Sequence, residues 1–294
     1  MKTNSRSNLS KSLYISTYIT LLCIVTVHTA IGLNESGFNS VWSGLALAIW
    51  PALLFFIKLF VAPTARTSAN LNLLIASGFI GTALAFSLAK GTDQDIYAFV
   101  YGSGLGIGGL ILYIFWYSRL GRTPSASLEK GKPLPEFKLK TSEGVLWSSS
   151  ELTQHPALIL FFRGNWCPLC MAQIKEVAAS YQTLEKMGVK VFLVSPQPEK
   201  HTQALAKKFD VNYHFMIDEN NQAASLLGID AKHGTPKGME VLGYDSDTVL
   251  PTAILTDKNG AILFTDQTDN YRVRPEPDTF LRVFSEYGLT TQSE

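Results

Sequence analysis

Phe161-Phe162-Arg163-Gly164-Asn165-Trp166-Cys167-Pro168-Leu169-Cys170 is the stretch that decides the fold. An apolar run, Ala157–Phe162, leads into it, and a run with helical spacing, Met171–Met187, leads out. Cys167-Pro168-Leu169-Cys170 therefore sits where a buried strand turns into a helix, which suits thiol–disulfide chemistry. The first thiol lies at the helix N-terminus, where free N–H groups and the macrodipole favour a thiolate. The second lies one turn on and can close a short disulfide.

Two other readings compete for the pair. A zinc site needs four ligands, but there is no second C-x-x-C, and His155, His201, His214 and His233 are scattered. A pair of buried core thiols is disfavoured by Trp166 before the pair and Pro168 inside it, which suggest an exposed turn. Redox chemistry remains, with the cysteine pair as the redox centre and no cofactor or metal.

Outward from this stretch the 294-residue chain divides by composition. The net charge of +1 gives no sign of nucleic-acid binding. Residues 1–120 hold nearly all the long apolar runs and read as an all-α transmembrane domain. Four segments, about 13–33, 41–62, 71–89 and 97–117, each approach the about 20 residues that span a bilayer. Lys58 lies near one end of the second and can snorkel, Pro51 kinks that helix, and Pro63 ends it. A cleavable signal peptide is disfavoured, because no small-x-small site follows the long first run. Cys23 reads as a small apolar residue of the first segment, and His28 as a packing histidine in preference to a quinone or relay site. Gly104-Leu105-Gly106-Ile107-Gly108-Gly109 fits G-x-G-x-x-G in form, but no strand precedes it. Close helix packing is the better account.

The flanking charges are one-sided. Lys2, Arg6 and Lys11 precede the first segment, Arg66 links the second and third, and Arg119, Arg122, Lys130 and Lys132 follow the fourth. The other links carry Glu35, and Lys90 with Asp93 and Asp95. The positive-inside rule then expects an integral membrane protein of four spans, with both termini and the redox domain cytoplasmic.

Residues 121–135, rich in Gly, Pro, Ser and Lys, read as a linker, and 136–294 as one soluble domain. A hairpin is expected from Phe137–Leu139 and Val145–Trp147, then a short helix at Ser149–Leu152. The strand Ala157–Phe162 and the helix Pro168–Met187 follow, with Ile174, Val177, Ala178, Tyr181 and Leu184 as its apolar positions. Strands at Val189–Ser195 and Tyr213–Ile217 alternate with helices at Glu199–Phe209 and Asn221–Leu227. A long polar loop, Ile229–Val249, precedes a hairpin of Pro251–Thr256 and Ala261–Phe264, and Pro277–Tyr287 is the last helix. The order predicts an α/β domain, a mixed central sheet flanked by helices.

Four stretches carry a family resemblance: Leu134-Pro135-Glu136-Phe137 ahead of the first strand, Phe161–Cys170, Leu193-Val194-Ser195, and Pro251–Gly260. With the element order, they resemble the thioredoxin-like superfamily, and within it the peroxiredoxin-like branch (alkyl hydroperoxide reductase / thiol-specific antioxidant, redoxin). The resemblance runs from about Gly131 to Tyr287 and leaves the apolar segments outside. It implies a thioredoxin-like domain working with a thioredoxin- or glutathione-type reductant. Peroxiredoxins carry P-x-x-x-T-x-x-C with the peroxide-reacting cysteine last. On this chain Cys170 takes that cysteine's place, Cys167 the threonine's and Arg163 the proline's. The family's later arginine position falls near Pro251, where this chain has instead the Pro251-Thr252 of thioredoxins, whose proline is cis and faces the disulfide; the threonine and arginine that bind and polarise the peroxide in the family are thus missing.

These departures favour a membrane-anchored thiol–disulfide oxidoreductase acting on protein or small-molecule disulfides. Cys167 attacks, Cys170 resolves, Pro251 docks the substrate backbone, and Arg163, Trp166, Pro168 and Thr252 shape the site. The alternative is an antioxidant thiol peroxidase acting on hydroperoxides, with Cys170 peroxidatic and Cys167 resolving. A third reading, a membrane binding or transport module regulated by its redox domain, has only His28, a few hydroxyls and Asn72 to supply a polar path.

Overall fold

The computed structural model describes residues 5–209 and 211–289. Lys2 of the N-terminal basic cluster and the C-terminal end of the domain at 290–294 lie outside the described residues. The chain divides into two compact units, one of apolar helices (Leu13–Pro63 with Thr67–Arg119) and one built mainly on the residues from Leu120 onward.

In the helical unit all four apolar segments are helices, but they differ in reach. Ser5–Ser36, Val41–Val61 and Asp93–Tyr117 are long and apolar enough to cross a membrane. Asn72–Ser87 has 16 residues, and at about 1.5 Å per residue it falls short of a hydrocarbon core of about 30 Å. Three helices therefore meet the length expected of four. The glycines of the last helix serve packing. A Cβ on Gly109 would come within 2.3 Å of the Tyr18 ring, and the Gly109 carbonyl accepts a hydrogen bond from the Tyr14 hydroxyl at 2.6 Å. His28 sits among aromatic rings, its Nδ1 2.9 Å from the Tyr101 hydroxyl and its ring 5.0 Å from those of Trp42 and Tyr97.

The second unit is organised by β3 (Ala157–Phe161), all five residues of which are buried. A continuous apolar run suits a strand covered on both faces. Strands β1 (Lys138–Thr141) and β2 (Leu146–Ser148) form the expected hairpin, followed by β4 (Lys190–Ser195) and β5 (His214–Ile217). Two-residue strands β6 (Asp230–Ala231) and β7 (Thr248–Val249) pair with each other inside the stretch expected as a loop. Strands β8 (Thr252–Thr256) and β9 (Ile262–Asp266) complete a seven-stranded mixed sheet of order β2-β1-β5-β4-β3-β8-β9. β3 runs parallel to β4 and antiparallel to β8, which sets Phe161 opposite Thr252. The end of β3 thus delivers the cysteine loop beside Pro251-Thr252.

Two expectations change. Residues 121–135 belong to the compact unit that holds the sheet. Leu128 is fully buried, and Arg122 donates to the Pro251 carbonyl at 2.9 Å, to Thr252 Oγ1 at 3.1 Å and to Gln267 Oε1 at 3.4 Å. A Gly/Pro/Ser-rich composition signals turns, and here the turns lie against the domain. The helix after the cysteines breaks at Ser180 into Pro168–Ala179 and Tyr181–Lys186. The Tyr213 hydroxyl donates to the Val177 carbonyl at 2.6 Å, and the Ser180 N–H bonds the same carbonyl at 3.0 Å. A carbonyl tied up by those two donors ends the regular ladder.

Candidate active site

The helix Pro168–Ala179 places the site. Pro168 occupies its first turn, where a missing N–H costs nothing, and Cys167 is its N-cap residue. Cys170, Gln173, Ile174 and Val177 form its buried stripe, the spacing of one helical face. Cys170 is therefore turned into the core, with no exposure, and Cys167 is 2% exposed. The turn expected to be exposed is half-buried at Trp166 and Pro168 and buries both cysteines, because the stripe that packs the helix includes Cys170. The sulfurs are unbonded and 2.9 Å apart.

The charge that faces them comes from Arg274, in the loop between β9 and the helix Pro277–Glu286. Its Nη2 donates to Cys170 Sγ at 3.4 Å, its Nη1 to Gln173 Oε1 at 2.9 Å, and its Nε to the Tyr271 carbonyl at 3.0 Å. Arg274 and Gln173 are both buried, so the fork is held rigidly. Burial alone would push the Cys170 thiol up. The hydrogen bond with Cys167, the Arg274 charge and the backbone N–H of Arg163 outweigh it and bring Cys170 well below the ordinary thiol range. Cys167 moves the opposite way, raised by its hydrogen bond with Cys170, by burial and by the negative charge beside it. The two shifts run in opposite directions, Cys170 down and Cys167 up. The helix N-terminus favours a thiolate at Cys167, whereas the buried Arg274 faces Cys170.

Arg274 brings to Cys170 a guanidinium that the position near Pro251 lacks. It arrives 104 residues after Cys170 from a different loop, and no spacing rule links the two. Only the pair of arginines in Tyr271-Arg272-Val273-Arg274-Pro275, just ahead of a helix, hinted at it.

The other expected residues surround this centre at different distances of involvement. The Arg163 guanidinium faces the Gly234 carbonyl and lies over the rings of Trp166 (4.7 Å) and Tyr271 (5.9 Å). It is a buried cation held by aromatic faces. Gly164 has φ +146°, and a Cβ there would meet Trp166 Nε1 at 2.7 Å. Only glycine lets the chain pass under that indole. Asn165 accepts from the Tyr244 hydroxyl through Oδ1, and its N–H bonds Gln197 Oε1 at 2.9 Å. Thr252 is buried, with its hydroxyl donating to the Leu250 carbonyl at 2.8 Å. The Leu250–Pro251 bond is trans, as is every peptide bond among the described residues, which corrects the expected cis proline. Trans is the ordinary state of X–Pro bonds. Arg122, which grips Pro251 and Thr252, is brought down to about 10 by burial against the attraction of Asp266 and Asp269. Among the described residues no three His, Cys, Asp or Glu side chains gather as a metal site.

A dithiol at the junction of a central strand and its helix, in this sheet order, defines a thioredoxin-like redox domain. Residues 130–265 match the AhpC/TSA family. Among its relatives, chloroplastic peroxiredoxin Q of Gentiana triflora is 28% identical over 164 residues, 53% of this chain and 76% of that protein. The putative peroxiredoxin bcp of Helicobacter pylori (strain ATCC 700392 / 26695) is 29% identical over 99 residues, 34% of this chain and 65% of that protein. A crystal structure of peroxidoxin BcpB from Mycobacterium tuberculosis superposes with a TM-score of 0.45 at 14% identity, covering 54% of this chain and 97% of that one. The domain is that of an oxidoreductase, and peroxiredoxin-type chemistry runs on the cysteines themselves.

Proposed function

We propose that this protein is a thiol-dependent peroxidase in which Cys170 attacks the hydroperoxide and Cys167 resolves the product. The observation that carries the reading is a fully buried Cys170 sulfur facing the Arg274 guanidinium at 3.4 Å. The arrangement favours the peroxidase over the disulfide exchange first expected. An exchange enzyme must offer its first sulfur to a bulky disulfide, whereas a hydroperoxide is small enough to reach a sulfur inside the fold.

The steps balance as follows. The Cys170 thiolate attacks the terminal oxygen of ROOH, the O–O bond breaks, and RO⁻ leaves and takes a proton as ROH. Cys170 becomes a sulfenic acid. The guanidinium of Arg274 lies where it can polarise the peroxide and stabilise the leaving oxyanion. The Cys167 thiol, 2.9 Å away in the reduced pair, attacks the sulfenic sulfur and expels water, giving the Cys167–Cys170 disulfide. An external dithiol of thioredoxin or glutathione type supplies two electrons and two protons to reopen it. Arg163 and Trp166 shape the approach to the sulfurs, Pro168 starts their helix, and Pro251 and Thr252 wall the neighbouring strand end.

The purified full chain in detergent tests this directly. Hydroperoxide consumption driven by a thioredoxin-type donor is expected, with insulin disulfides reduced no faster than by the donor alone. Rapid insulin reduction without peroxide turnover would sink the reading.

The membrane half of the proposal is an integral anchor of four spans, Asn72–Ser87 included, with both termini and the redox domain in the cytoplasm. The basic residues at alternate links support it. A reporter fused after Glu294 should be active only in the cytoplasm; an external signal would mean an odd number of spans.

A further inference from the structure

Arg66 lies in Thr64–Arg66, which follows the apolar helix Val41–Val61 and belongs to the compact unit that holds the sheet. Its guanidinium faces the loop that carries Arg274. Its Nε donates to the Arg274 carbonyl at 3.2 Å, and its Nη2 to the Pro275 carbonyl at 3.3 Å. The two Nη groups also donate to the two carboxylate oxygens of Glu176, Nη1 at 3.4 Å. The exposed Glu276 carboxylate lies 3.6 Å from Nη1. Glu176 stands in the helix Pro168–Ala179, one turn after Gln173 and on the helix that carries Cys170. Loop and helix are thus joined twice. Arg274 joins them from within, through Gln173 Oε1 at 2.9 Å and Cys170 Sγ at 3.4 Å. Arg66 joins them from the rim, where it and Glu176 are half-buried.

We propose that Arg66 is a positioning residue that, with Glu176, clamps the Arg274 loop onto the Cys170 helix and so holds the Arg274 guanidinium against the Cys170 sulfur. The inference rests on Cys170 being the reactive thiolate. Arg66 acts through the backbone. The Arg274 carbonyl lies in the peptide plane that begins at the Arg274 Cα, so a donor on that carbonyl fixes the point from which the Arg274 side chain departs. A rigid guanidinium fork can hold a carboxylate and two carbonyls at once, which a single ammonium cannot. Partial exposure keeps the effect smaller than that of Arg274 itself. The site is thereby completed by a residue far ahead of the sheet, in a link between two apolar helices.

The test is iodoacetamide labelling across pH in the full chain in detergent, located on Cys170 by fragment-ion mass spectrometry. This readout needs no peroxide turnover, so it separates failure of the clamp from failure of the peroxidase reading. Arg274 and Cys167, which face the Cys170 sulfur, are unchanged in the single variants. Arg66→Gln should raise the labelling midpoint by about half a pH unit. Arg66→Lys returns the charge without the fork and should recover only part of the shift. Glu176→Gln separates positioning from charge by its sign. Loss of a carboxylate would by charge alone lower the titration of a nearby thiol, whereas a loosened clamp should raise it. In an Arg274→Gln background, Arg66→Gln should add no further shift, because it acts only through Arg274. Glu176→Gln carries the test if Arg66→Gln fails to fold. An unchanged midpoint in a folded Arg66→Gln, full recovery by lysine, an unchanged or lowered midpoint in Glu176→Gln, or an additive shift in the double variant would overturn the proposal.

Discussion

Replacing Cys170 with serine is expected to reduce hydroperoxide consumption to the uncatalysed background, in single and multiple turnovers alike. A serine hydroxyl beside Arg274 remains protonated at neutral pH and cannot take its place as a nucleophile. Cys167→Ser should behave differently. It keeps the thiolate and its arginine, so one equivalent of peroxide is still consumed in a first turnover. Recycling then slows, because the sulfenic acid has lost its partner 2.9 Å away. Stopped-flow measurement of peroxide loss against enzyme concentration separates the two variants. Equal loss of the first turnover in both would contradict the assigned roles, and so would a full first turnover in Cys170→Ser.

The second large effect is expected at Arg274. Arg274→Gln removes the positive charge next to a sulfur with no exposure, and the burial that opposes the thiolate stays in place. The Cys170 thiol should then rise from below the ordinary range to above it. The sign follows from the geometry. In the unmodified chain activity persists as pH falls toward the depressed thiol value, whereas in the variant it is low at neutral pH and recovers only as pH rises. A hydrogen bond to a charged group contributes about 1.5–3 kcal/mol, so the loss near pH 7 should be about ten- to hundredfold. Arg274→Lys should recover part of it, since the charge returns without the fork that also engages Gln173 and Tyr271. A pH–rate profile of the three proteins checks the shift; superimposable profiles would remove Arg274 from the mechanism.

The centre of this fold was legible in the sequence because its signals are local. A run of apolar residues, Ala157–Phe162, gave β3, and a helical spacing with Pro168 at its start gave the helix that carries Cys170. The hairpins and the capped turn at Ser149–Leu152 were legible for the same reason: Ser148 and Glu151 form a capping box whose residues are three apart. What escaped depends on distant partners. Arg274 meets Cys170 only after the sheet closes, and Arg122 meets Pro251 from a stretch whose composition reads as a linker. The break at Ser180 needs the hydroxyl of Tyr213, a strand away. The pairing of β6 with β7 escaped because each has two residues, too few for any alternation to register. The burial of the cysteines escaped because Trp166 and Pro168 are marks of an exposed turn. The stripe Cys170, Gln173, Ile174 and Val177 was the contrary signal, and it was present in the sequence.

The order of the two sulfurs is the central claim, and trapping the first product tests it most directly. Reduced Cys167→Ser protein, given one equivalent of hydroperoxide and then dimedone, should carry the adduct on the Cys170 peptide. If no adduct forms at Cys170, and Cys170→Ser instead accumulates a mixed disulfide through Cys167, then Cys167 acts first and the peroxidase account fails.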